Sequence, residues 1–146
     1  MERNDRNLFQ AAFILGLGLL GAVDGIVFHQ LLQWHHMVDH HNQIHMKIFS
    51  DGWFTILFSL LLVWGGVKIY RDAAKGELGT RPRTFLSGIL IGGGVFNLVE
   101  GMINHHILQI HRVRPAAENP LLYDISFLIV GFLLVIIGLI VRRKKV

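Results

Sequence analysis

The chain has no cysteine. That excludes disulfides, thiolate metal sites and cysteine nucleophiles, and it leaves the redox compartment open. Charge is scarce too. Only 16% of the 146 residues are charged, against 52% hydrophobic, and the mean hydropathy is +0.48. These values are too apolar for a soluble domain of one-domain length. No HExxH metalloprotease motif, phosphate loop or serine elbow occurs, and nothing resembles a nucleic-acid module. The net charge of +4 is instead spent on orientation, as the placement of lysine and arginine shows.

Four runs carry no charge: residues 7–23, 52–67, 84–99 and 125–141. Each is slightly shorter than the roughly 20 residues that cross a bilayer as helix, and each extends if a flanking residue or an interior acid is admitted. The reading is an all-α integral membrane protein, a single domain over 1–146. Its four helices are expected at about Leu8–Gln33, Asp51–Tyr70, Arg83–Gln109 and Tyr123–Val141. The first run is no cleavable signal, because the preceding charges are mixed and no small-residue cleavage site follows.

Eleven of the fourteen basic residues precede the first helix, lie between the second and third, or end the chain. The positive-inside rule then places both termini in the cytoplasm. All nine histidines fall in or beside the other two loops, and are expected at the outer face.

Those histidines follow a repeat. Val23–His35 reads VDGIVFHQLLQWH and Val99–His111 reads VEGMINHHILQIH. Without a gap, Asp24 matches Glu100, Gly25 matches Gly101 and His29 matches His105. Gln33 likewise matches Gln109, and His35 matches His111. The returning helices also correspond, with Asp51 and Asp124 at their starts. The chain is thus two parallel helix pairs, about 8–70 and 83–141, related by an axis along the membrane normal. Glycines at 16, 18, 21 and 25, and at 88, 92, 93, 94 and 101, suit close approach of helices one and three on that axis.

Imidazole and carboxylate without thiolate favour a transition metal, copper or iron first, with zinc also compatible. The expected ligands are His29, His35, His105 and His111, with carboxylates from Asp51 and Asp124. His36 and His106, which break the repeat, come next. An acid inside a span is costly and therefore functional by default. Asp24 and Glu100 are assigned to orientation or proton handling, and Gln33 and Gln109 to holding imidazole tautomers. On a regular helix Asp24 and His35 share a face but lie roughly 16 Å apart, so both reach one ion only if the helix breaks or another helix supplies the bridge. His40, His41 and His45 are accessory ligands in a polar loop. Their HHNQIH spacing resembles a histidine box of membrane desaturases, enzymes that are larger and carry more boxes.

The stretch GAVDGIVFHQLLQWHHM, with its second acid–glycine–histidine element, resembles a family of small four-helix bacterial membrane proteins, domain of unknown function 2243. The resemblance covers nearly the whole chain. It implies topology and no activity, so function rests on the site. Three functions compete: a redox metalloenzyme with one or two metals at the outer mouth of the bundle, acting on a small or lipid-derived substrate, a copper carrier for a respiratory oxidase, and a bis-histidine haem protein. Membrane lipid is the expected partner, a homo-oligomer is compatible, and nucleic acid is not expected.

Overall fold

The computed structural model describes residues 1–40 and 42–143; His41, one of the accessory histidines, lies outside them. The described residues contain four helices long and apolar enough to cross a membrane, and no strand. Helix α1 runs Arg3–Asp24 and continues as a π-helix, π1, over Gly25–Leu31. Helix α2 follows as Ile44–Ala74. Then α3, Pro82–Glu100, continues as π2, Gly101–Ile107, and α4 closes the bundle as Pro120–Arg143.

The helices outrun the charge-free spans in both directions. Helix α1 begins five residues before Leu8. Helix α2 begins at Ile44, so Asp51 lies two turns inside it and His45 is helical, not in a loop. Hydropathy marks the length that must avoid water, whereas the backbone keeps its helical hydrogen bonds into the polar zone.

Helices α1 and α3 pack on each other at the centre; α2 packs on α1 and α4 on α3. Burial confirms the layering, since many large apolar side chains of α2 and α4 face outward, Trp53, Leu60, Trp64 and Phe132 among them. Glycine sets the spacing, and it does so twice. A Cβ added to Gly18 would lie 2.8 Å from the Phe58 carbonyl oxygen, and one on Gly94 would lie 2.7 Å from that of Gly131. Likewise Gly65 receives Leu15, and Gly138 receives Ile91. Positions 76 apart in α1 and α3, and 73 apart in α2 and α4, therefore occupy equivalent places. The sequence repeat is a pseudo-twofold in space.

Candidate metal centre

At the end of the bundle away from the termini, both central helices change winding at the same point, after Asp24 and after Glu100. A π-helix bonds i to i+5, so residues five apart stack on one face. Five residues separate Asp24 from His29, and five separate Glu100 from His105. His29 Nε2 consequently lies 3.3 Å from Asp24 Oδ2, and His105 Nε2 lies 3.9 Å from Glu100 Oε1. On an α-helix the same pairs would point apart. The five-residue spacing was the sequence signal for this winding.

The chain then reverses. The amide of Leu32 reaches the Val27 carbonyl and that of Trp34 the Phe28 carbonyl, with Leu108–Ile103 and Ile110–Asn104 repeating the pattern. Gln33 and Gln109 take positive φ, 48° and 49°, the only non-glycine residues described that do so. Both glutamine side chains are exposed. Their contribution is the turn itself, not the imidazole tautomers expected of them. The reversal returns His35 and His111 toward the acids, so the helix break required for a common site is present. His111 Nε2 sits 3.1 Å from Glu100 Oε1.

Four imidazoles result, packed together on the pseudo-axis. His29, His35, His105 and His111 are 1–3% exposed. The His35 and His111 rings stack at 4.7 Å and 8°, His29 meets His35 edge-on at 4.5 Å, and His105 meets His111 at 4.8 Å. His29, His35 and His111 each offer a ligand atom within 4.8 Å of the others, and Glu100, His105 and His111 form a second such set. The shared His111 joins both sets into one constellation.

The hydrogen bonds behind the rings fix which nitrogen is free. His35 Nδ1 donates to the Val113 carbonyl at 2.8 Å, and His111 Nδ1 to the Met37 carbonyl at 3.3 Å. Each bond crosses from one repeat to the other. His29 Nδ1 donates to Asp51 Oδ1 at 3.0 Å. All three partners only accept, which for His35 puts the proton on Nδ1 and leaves the Nε2 lone pair free; the Nε2 of His29 and of His111 each face a carboxylate oxygen, Asp24 at 3.3 Å and Glu100 at 3.1 Å. Nε2 of His29 and His35, both ring nitrogens of His105, and Asp24 Oδ2 are buried with no hydrogen-bond partner. Unpaired buried polar atoms are costly, and these converge on one place. Burial, reinforced by the neighbouring His29 and His111, holds the His35 imidazole down to about 4, neutral near pH 7.

The carboxylates exchange the roles expected from sequence. Asp51 is saturated behind the rings: besides His29 it accepts from His36 Nδ1 at 2.7 Å and from the Met37 amide at 2.7 Å. Asp124 accepts from the Val113 amide at 2.9 Å and from Arg112 at 3.2 Å. These two aspartates hold the reversed segments in place, whereas Asp24 and Glu100 face the free nitrogens. His36 is engaged with Asp51, and His106 donates to the Gly101 carbonyl at 3.0 Å, so neither Nδ1 points into the cluster. His40 and His45 are exposed, His40 Nε2 bonding the Gln109 carbonyl at 3.0 Å.

Two openings lead inward. A cavity of about 600 Å³ at the histidine end is lined by Asp39, His40, Gln109, Arg112 and His111, so it ends on a cluster imidazole. A second, of about 300 Å³, lies between α1 and α4 and reaches Asp24.

No curated protein and no solved structure is significantly similar to the chain. A family model does match, over residues 11–145. The chain belongs to that family, described as predicted membrane protein, domain of unknown function 2243.

Proposed function

We propose that this family member is a membrane metalloprotein holding one transition-metal ion, copper or iron in preference to zinc, on His29, His35, His105 and His111. Glu100 and Asp24 complete the set. One observation carries the reading: buried, unpartnered ring nitrogens of His29, His35 and His105, drawn from both repeats, converge, and the Nδ1 of His29 and of His35 is held from behind by an acceptor. That is the arrangement in which imidazole binds a metal. A single ion is favoured because the two ligand sets share His111, whose second nitrogen is committed to Met37. The absence of sulfur ligands in the set points to copper(II), iron or zinc.

Copper or iron there would supply one-electron chemistry. The chain's own contribution is to exclude water, neutralise the ion with two acids and keep the rings from reorienting. A resident redox centre fits the burial better than a carrier does, since exchange needs exposed ligands. The carrier reading has one point in its favour, the cavity that ends on His111 with Asp39 and His40 in its walls. Haem is disfavoured because the rings touch, at 4.5–6.0 Å between centroids, with no slot for a macrocycle.

Orientation follows the positive-inside rule: termini in the cytoplasm of a bacterial inner membrane, histidine end outside. A C-terminal reporter should be active on the cytoplasmic side, and a tag within 116–119 should be accessible from outside.

The deciding experiment is elemental analysis with an absorption spectrum on protein purified without chelator. Stoichiometric copper or iron without a Soret band is expected. Metal content that survives both His29→Ala and His111→Ala in folded protein would sink the proposal, as would a stoichiometric Soret band.

A further inference from the structure

The pseudo-twofold creates two equivalent crevices, one between α2 and α3 and one between α1 and α4. The first is filled by aromatic rings: Phe58 packs on Phe96 at 4.9 Å and on Phe54 at 4.7 Å, and Phe96 is 4% exposed. In the second crevice Leu20 stands where the first has Phe96, and Gly131 where it has Phe58. Two rings are missing there, and the cavity of about 300 Å³ lies in that place. Its walls include Leu20, Phe28, Trp34, Phe127 and Val130, and exposed Val23, Ser126 and Val130 put its mouth on the lipid-facing side. Arg114 bridges its upper wall, 5.0 Å from the Trp34 ring and 3.0 Å from the Tyr123 hydroxyl.

The wall is otherwise almost wholly apolar, yet it contains Asp24. That side chain is 4% exposed, and its Oδ2 makes no hydrogen bond although His29 Nε2 is 3.3 Å away. A bulk acyl chain would fill the volume and bring no donor to the Asp24 carboxylate. A flat apolar molecule with one hydroxyl would fill the volume and bring one.

We infer that the α1–α4 crevice is a binding site for a lipid-dissolved phenol-type molecule, entering sideways from the membrane and donating its hydroxyl to Asp24. Binding requires only the crevice and Asp24. Its meaning as the substrate position of the metal centre rests on the function proposed above, because Asp24 touches both the crevice and His29.

The test uses full-length protein in which the exposed Trp53 and Trp64 are changed to phenylalanine, leaving Trp34 in the cavity wall as the reporter. 4-Bromophenol should quench Trp34 saturably, and bromobenzene should bind at least about tenfold more weakly, the worth of one well-made hydrogen bond to a charged group. Asp24→Asn should shrink that preference, and Leu20→Phe with Val130→Phe should abolish saturable quenching. Should the filled variant not fold, competition decides in the unfilled protein, where unbrominated 4-ethylphenol should reverse the quenching and ethylbenzene should not. Equal quenching by bromophenol and bromobenzene, or no competition, overturns the inference and leaves an acyl-filled crevice. Each titration is run on metal-free and copper-loaded protein. Binding without any metal uptake would preserve this site and refute the metal centre, and metal uptake without binding would do the reverse.

Discussion

His29 is held from behind by Asp51, while its counterpart His105 has both ring nitrogens bare; the crevice beside the first half's acid is open, while the one beside the second half's acid is packed with phenylalanine. The backbone is nevertheless the same in both halves, down to paired π-helices and paired positive-φ glutamines. Duplication thus supplied four imidazoles around an axis, and side-chain divergence behind that frame gave the two halves separate tasks. The first half positions a ring and leaves a way in. The second contributes Glu100, whose Oε1 already faces His111.

The largest expected effect tests whether the halves share one site at all. His29→Ala and His111→Ala should each lower metal affinity by more than about a hundredfold, since a ligand is lost outright. Equilibrium dialysis against a competing chelator reads this, and a loss confined to one variant would split the constellation into two sites.

The aspartates sharpen the comparison. Asp51→Asn should weaken metal binding by about 10–100-fold, the usual cost of removing the group that orients a ligand histidine. Asp124→Asn should change affinity by less than about threefold and act on stability instead, because its carboxylate serves Val113 and Arg112. Equal affinity losses would show that the asymmetry at His29 and His105 has no functional weight.

Gly18→Ala and Gly94→Ala test the symmetry from the other side. Both add a methyl group against a neighbouring backbone, so each should cost about 1–3 kcal/mol in chemical denaturation in detergent, and the two costs should match. Gly52→Ala meets nothing within 4 Å and should be nearly silent. Unequal costs would break the pseudo-twofold.

The smallest effect is one of pH. His35 is depressed to about 4 in the folded chain and rises to about 6.5 on unfolding, so the unfolded state takes up its proton first as pH falls. The stability this confers is present above pH 6.5 and fades as pH drops toward 4. Between about pH 7 and 5.5 the metal-free protein should lose about 1 kcal/mol that His35→Gln does not lose, measured by thermal melts.

Much of this frame was legible in the residues. The four spans followed from charge-free runs, and the pairing of His29 with His105 and of His35 with His111 followed from the ungapped repeat. The assignment of the carboxylates did not, because it assumed a uniform 100° per residue. Under that assumption Asp24 is a helix turn or more from any histidine that could share an ion with it, and Asp51 looks level with the ligands. The winding change at Gly25 and the reversal at Gln33 reorder those depths. Neither leaves a mark in composition, and a glutamine at positive φ has no propensity signal of its own. The cavity beside Asp24 was equally hidden, since it depends on Leu20 and Gly131 being smaller than partners far away in sequence.

The five-residue step from acid to histidine also makes the site fragile to a kind of change that substitution does not probe. Remove one residue from within the step, Ile26 for instance, and the remaining four fit an ordinary α-turn, on which residues four apart again share a face, so acid and imidazole still meet. Keep all five residues but wind them as an α-helix, and the imidazole at position 29 points about 140° away from the acid. A relative with that second change would match this chain residue for residue and lose the proposed ligand set. Within this family, the phase of the helix between acid and histidine is therefore a better guide to shared chemistry than the histidine count.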